Sequence, residues 1–155
     1  MIFKKRPTNF NPNFEVSACF ILFKKKFIFL KTGLHKKLAG LWGVPAGKLN
    51  FGETPLECVK REILEETQIN LNENETKFFK TIYIKYPEID YIYHIFYTKL
   101  KEKPEIIINS HESEEYKWVN KKEALQMPLI PDEHPCIEIF FREMNKKNYF
   151  PRQKY

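Results

Sequence analysis

Four side chains able to do chemistry stand within six residues of one another: Arg61, Glu62, Glu65 and Glu66. A fifth, Glu53, lies just upstream. On a helix, at about 100° per residue, Glu62, Glu65 and Glu66 gather with Cys58 in one sector. Leu56, Val59 and Ile63 gather on an adjacent one. The helix therefore has an apolar face and an acidic face, with Arg61 flanking the acids. Like charges at this spacing repel by roughly 0.2–0.5 kcal/mol per exposed pair, and more when partly buried. Arg61 can pair with Glu65 and reach back to Glu53, which leaves Glu62 and Glu66 short of countercharge. A hard divalent cation, Mg²⁺ or Mn²⁺, answers that deficit with oxygen ligands and leaves room for substrate phosphates. The Pro45-Ala46-Gly47 loop can add backbone groups. The chemistry would be metal-assisted attack of water on a phosphate, with a carboxylate taking the proton. The competing reading is a solvated acidic helix face with surface ion pairs, each worth little.

The start of that helix is well marked. Thr54 suits the N-cap, Pro55 the first helical position, and Glu57 completes a capping box. The whole segment from Gly47 to Ile69 resembles the Nudix box, G-x5-E-x7-R-E-U-x-E-E-x-G-U, where U is a large aliphatic residue. Gly47, Glu53, Arg61, Glu62, Ile63, Glu65, Glu66 and Ile69 match it. Gln68 stands where the pattern has glycine. Glycine past a helix end allows a left-handed residue, so Gln68 would cost on the order of 1 kcal/mol if φ stays positive. It touches no acid.

The resemblance implies an α/β fold, the Nudix-like α/β/α sandwich with a mixed β-sheet. It implies hydrolysis of a nucleoside diphosphate linked to another group, with Mg²⁺ or Mn²⁺. By position, Glu62 and Glu66 would be metal ligands, and Glu65 a further ligand or the base. Arg61 would orient the acids, Glu53 would brace Arg61, and Ala46 would offer its backbone carbonyl to the metal. An acid from a late loop often joins the site in this family; Glu112, near Glu114 and Glu115, is the candidate. Substrate choice lies outside the box. Tyr86, 18 residues after Gln68, stands where some dinucleoside polyphosphate hydrolases carry tyrosine. Ile84 stands where some ADP-ribose hydrolases have proline, and the entry Gly43–Gly47 resembles nucleotide and sugar-nucleotide members. A catalytically silent nucleotide-binding or regulatory module on the same fold is the alternative function.

The remaining chain must position this segment. Residues 1–13 read as an irregular lead-in. Glu15–Phe23 and Phe27–Lys31 read as a hairpin turning at the lysines 24–26, and Thr32–Leu41 as a loop. Trp42 is expected in the core. Lys77–Tyr86 and Tyr91–Leu100 alternate as strands around a turn at Pro87–Asp90, with His94 on the core or cleft wall. Glu105–Ile108 reads as a short strand, Asn109–Glu115 as an acidic loop, and Tyr116–Val119 as a strand with Trp118. Asn120 and Glu123 form a second capping box. Asp132 begins the last helix, whose stripe of Ile137, Phe140, Phe141 and Met144 packs on the sheet. The tail from Lys146 frays. The 155 residues suit one domain.

The net charge of +6 comes mostly from dispersed lysines, and Arg61 is the sole arginine between residues 7 and 141. A planar fork among carboxylates points to geometry rather than charge alone. With no helix-turn-helix, zinc-finger or RNP motif, the expected partner is a small nucleotide and not nucleic acid. Cys19, Cys58 and Cys136 are far apart and odd in number, which argues against a disulfide framework and suits a reducing cytoplasm. The longest apolar run, Ala18–Phe23, is too short to span a bilayer, and no signal peptide is expected. Oligomeric state is open, a homodimer included.

Overall fold

A computed structural model describes residues 1–147. Eight strands and three helices follow the chain: β1 (Ile2–Phe3), β2 (Phe14–Phe23), β3 (Lys26–Thr32), β4 (Trp42–Gly43), β5 (Ala46–Lys48), α1 (Pro55–Thr67), β6 (Thr76–Lys85), β7 (Asp90–Leu100), β8 (Ser113–Val119), α2 (Lys121–Ala124) and α3 (Glu133–Lys146). The strands form one mixed sheet ordered β1-β6-β7-β2-β3-β4, with β5 also pairing β2 and β8 also pairing β3. Its axis is the parallel pair β2–β7, in register from Phe14 opposite Tyr91 to Phe23 opposite Leu100. The run Ser17–Leu22 is buried throughout, as expected for a strand covered on both faces.

Two apolar layers cover those faces. On one, Val59 and Ile63 of α1 pack with Cys19, Ile21, Ile28, Leu30 and Phe96. On the other, Ile137, Phe140, Phe141 and Met144 of α3 pack with Phe20, Phe27 and Phe29. Phe140 stacks on Phe20 at 4.0 Å between centroids. The result is an α/β sandwich with a mixed sheet between two helical layers, the architecture that the resemblance implies. Trp42 is buried in the α3 layer.

Several local expectations change. Ile2 and Phe3, inside the supposed irregular lead-in, add an edge strand to β6 at Ile84 and Tyr83. Glu105–Ile108 forms no strand. The Ile107 N–H donates instead to the Thr67 carbonyl at the end of α1 (3.1 Å), and Ile106 is buried under the helix layer. The acidic loop ends earlier than expected, because Ser113–Glu115 already belong to β8 opposite Thr32 and Lys31. The Pro45-Ala46-Gly47 loop contributes two of its residues to strand β5, held antiparallel to Val16–Ala18. Asp132 takes the N-cap place of α3, yet its φ is 69° and its side chain caps nothing; its carboxylate accepts from the Tyr86 hydroxyl instead. α3 continues through Lys146, and the rest of the tail expected to fray, residues 148–155, lies outside the described residues. No described helix is long and apolar enough to cross a membrane.

Candidate active site

α1 presents the acids because its start is fixed. The Glu57 N–H donates to Thr54 Oγ1 (3.2 Å), and the Thr54 N–H donates to Glu57 Oε2 (2.8 Å). Pro55 takes the first turn, and the buried Val59 and Ile63 set the rotation of the helix on the sheet. At the other end Gln68 is left-handed (φ 59°, ψ 17°), and its N–H donates to the Leu64 carbonyl. The missing glycine therefore leaves the helix exit in its left-handed form, with a glutamine in that conformation.

Arg61 is the hub of the acidic face. Its guanidinium donates to both Glu53 oxygens (2.7 and 2.9 Å), to Glu62 Oε1 (2.6 Å) and to the Lys48 carbonyl (3.0 Å). Glu65 is only weakly engaged at 3.4 Å and is more than half exposed (55%). Those bonds hold the Glu53 carboxyl down to about 2, and they raise the already high arginine value further, the bonds to Glu53 first. Glu62 is thus not short of countercharge, as helix spacing alone suggests. Burial still outweighs Arg61 and pushes the Glu62 carboxyl up.

Glu66 is the uncompensated acid. It accepts a backbone hydrogen bond from Ala46, and its Oε2 is buried without any hydrogen-bond partner. Burial, followed by the neighbouring Glu62 and Glu112 charges, drives its carboxyl well above the usual carboxylate range. A buried carboxylate oxygen without a partner is costly. Gly47 lets the acids come this close to the sheet: a Cβ there would overlap the Glu62 carboxyl group.

The acids open onto two adjoining hollows of about 450 and 520 Å³, whose shared walls are Lys36, Ala46, Lys48, Glu66 and Glu112. Glu62, Glu65 and Asn109 line the first as well. Glu112 reaches the site because its loop is tied to α1: the Asn109 N–H donates to the Glu66 carbonyl (3.2 Å), and the Glu112 N–H to the Asn109 carbonyl (3.0 Å). Its carboxylate pairs with Lys36 Nζ at 2.6 Å. Glu114 and Glu115 instead pair with Lys31 and Lys117 along β8. Lys36, Lys37 and Lys48 were not legible as site residues. Lys48 adjoins the box glycine, a signal that adjacency could have used; Lys36 and Lys37 carried none, being two of many lysines in a polar loop. His94 is satisfied by Thr81 and Glu15 and takes no part.

Among the described residues, no three Asp, Glu, His or Cys side chains form a ready cage for a metal ion. A Mg²⁺ site needs only one or two carboxylates when substrate phosphates complete it. The orphaned Glu66 oxygen, facing Glu62 and Glu112, fits such an ion.

Residues 13–140 match the family model of the NUDIX domain. This chain belongs to that family. The Nudix hydrolase is similar to the CTP pyrophosphohydrolase of Escherichia coli (strain K12), 27% identical over 128 residues that cover 81% of this chain and 90% of the relative. It is 30% identical over 133 residues to the RNA pyrophosphohydrolase of Helicobacter pylori (strain ATCC 700392 / 26695), covering 76% and 79%. Among solved structures, the MutT protein from Methanosarcina mazei Go1 superposes with a TM-score of 0.74 at 26% identity, over 85% of this chain and 95% of that one. Nudix hydrolases generally use divalent metals, and that agrees with the chemistry of the donor set.

Proposed function

We propose that this Nudix hydrolase is a pyrophosphohydrolase dependent on Mg²⁺ or Mn²⁺, acting on a nucleoside diphosphate linked to another group. The observation that carries the reading is the buried, partnerless Glu66 oxygen at the floor of a cleft whose rim is lysine. Glu62, Glu65, Glu66 and the Ala46 carbonyl would hold the ion. A strand residue points its N–H and C=O to the same side, and the Ala46 N–H is directed at Glu66, so its carbonyl borders the cleft. The bound ion would neutralise phosphate charge and lower the pKa of a water molecule.

The chain's own groups divide the other tasks. Lys36, Lys37 and Lys48 supply positive charge for substrate phosphates at the cleft wall. Arg61, clamped by Glu53, fixes the carboxylate of Glu62. Glu65 is exposed and weakly held, which leaves it able to take the proton of the attacking water. The relatives named CTP and RNA pyrophosphohydrolases direct the substrate search to nucleoside triphosphates and polyphosphate 5′ ends. The three free, buried cysteines support a cytoplasmic setting.

The test is a panel of nucleoside triphosphates, ADP-ribose, sugar nucleotides, dinucleoside polyphosphates and 5′-triphosphorylated RNA, each with Mg²⁺ or Mn²⁺. Release of nucleoside monophosphate or pyrophosphate by the native chain, lost in Glu66→Gln, supports the reading. Metal-independent release, or undiminished turnover in Glu66→Gln, sinks it. Binding without hydrolysis across the panel would favour the silent nucleotide-binding module.

A further inference from the structure

A second hollow, of about 490 Å³, lies at the far end of the β3–β8 ladder from the acids, lined by Phe23, Lys24, Lys25, Lys26, Lys103 and Trp118. Two aromatic rings meet there, Phe23 and Trp118, with centroids 6.1 Å apart and planes tilted by 66°. Lys24 Nζ lies 5.4 Å from the Phe23 ring and Lys103 Nζ 6.0 Å from the Trp118 ring. Lys26 has a distant carboxylate partner, Glu123, at 3.9 Å. Among the described residues, Lys24, Lys25 and Lys103 form no ion pair. Uncompensated lysines over half-buried rings attract a ligand that offers anions and flat apolar faces together.

The face of β8 that bears Trp118 runs on toward the cleft. Trp118 lies opposite Ile28, Tyr116 opposite Leu30 and Ser113 opposite Thr32, and the register shift between Lys31 and Thr32 keeps all three on one face. Tyr116 is exposed. Residues two apart on a strand are about 6.7 Å apart, twice the roughly 3.4 Å rise of a nucleotide strand. Trp118 and Tyr116 are thus spaced as stacking platforms for alternate bases. From Trp118 to Ser113, which borders the cleft, is about 17 Å along β8, on the order of five stacked nucleotides. The intervening acids are neutralised, Glu114 by Lys31 and Glu115 by Lys117.

We infer that the pocket of Phe23, Lys24, Lys25, Lys103 and Trp118, continued by Tyr116, is a binding track for a single-stranded polynucleotide. Lysines take the backbone phosphates, and rings take the bases without regard to sequence. The 5′ end of the strand lies toward the acidic cleft; that placement alone rests on the pyrophosphohydrolase reading. An anionic membrane would engage the lysines but leave Trp118 and Tyr116 without stacked rings. An acidic peptide would do the same, so the paired platforms favour the polynucleotide. The composition of the chain gives no hint of this site, because its lysines come from two loops far apart in sequence.

The test uses a short single-stranded RNA with a 5′-hydroxyl, without metal, so that no hydrolysis at the cleft is required. Affinity is read by anisotropy, and stacking by tryptophan fluorescence. Trp42 is buried, so quenching reports Trp118. The expected result is binding with quenching, and a salt slope that falls by about 0.7 for each lysine removed. The triple variant Lys24→Glu, Lys25→Glu, Lys103→Glu, all exposed positions, should lose at least about tenfold in affinity, with hydrolysis of free nucleotides unchanged. Trp118→Ala should lose about tenfold; Trp118→Phe, which keeps the packing, should retain most binding. Unchanged affinity in the triple variant overturns the proposal, as does binding confined to poly-glutamate or anionic vesicles. Retained RNA binding in a chain that hydrolyses nothing would leave the track standing and remove the pyrophosphohydrolase reading instead.

Discussion

Gly47 and Glu62 occupy one another's space: the carboxyl group of Glu62 lies where a Cβ at position 47 would be. The opening glycine of the box therefore serves the acid on the helix rather than a turn. Gly47→Ala should push Glu62 away while leaving the fold, because the atoms displaced are the far end of a flexible side chain. The expected outcome is a fall of about 10²-fold in kcat/KM with little change in Tm. A large Tm loss with activity per folded molecule intact would contradict this.

Arg61 holds Glu53 with two bonds of its fork while reaching Glu62 and the Lys48 carbonyl with the rest. A lysine ammonium has no planar fork. Arg61→Lys should therefore lose on the order of 1–2 kcal/mol of stability, read by urea denaturation. It should also lose most of the hydrolytic rate although the charge is kept. Full activity in this variant would mean that charge, not geometry, is what the acids require.

The carboxylate of Glu66 is buried beside Glu62 and Glu112 with one oxygen unpartnered. Without metal, Glu66→Gln should be at least as stable as the native chain, since it removes a buried group whose ionisation burial and the neighbouring Glu62 and Glu112 charges oppose. Saturating Mg²⁺ or Mn²⁺ should stabilise the native chain by about 2.7 kcal/mol at a hundred times Kd and the variant far less. Equal metal-induced shifts in a thermal melt would remove Glu66 from the ligand set.

Gln68 ends α1 in a left-handed conformation that glycine adopts freely. Gln68→Gly should gain about 0.5–1 kcal/mol, a rise of roughly 1–4 °C in Tm, with kcat unchanged. A loss of stability would show that the glutamine side chain makes a compensating contact.

Glu133, fully buried at the start of α3, accepts the Val44 N–H at 3.2 Å, and burial pushes its carboxyl up from 4.5 to about 8. The folded chain thus keeps a proton that the unfolded chain has lost. The resulting stabilisation is complete below about pH 4.5 and vanishes as pH rises through about 8. Glu133→Gln keeps an acceptor for Val44 and cannot ionise. Its stability should fall less than that of the native chain between pH 5 and 9, measured by urea unfolding at each pH. Parallel curves would refute the assignment.

The sequence by itself determined the elements whose signals are local. The capping box at Thr54, the alternation of β6 and β7 and the stripe of α3 all act over a few residues, and all are present. So is the box, because helix periodicity alone sets Glu62, Glu65 and Glu66 on one face beside Arg61. Tertiary structure decided which acid is compensated, since that depends on how Glu53, Lys48 and Ala46 come to lie around α1. It also brought Glu112 and Lys36 into the cleft, through hydrogen bonds from the 109–112 loop to the end of α1 and a contact across two loops. Asp132 failed as a cap for the same reason: the Tyr86 hydroxyl, just past β6 and distant in sequence, claimed its carboxylate. Local propensity cannot register such partners, because burial and charge pairing are properties of the packed chain.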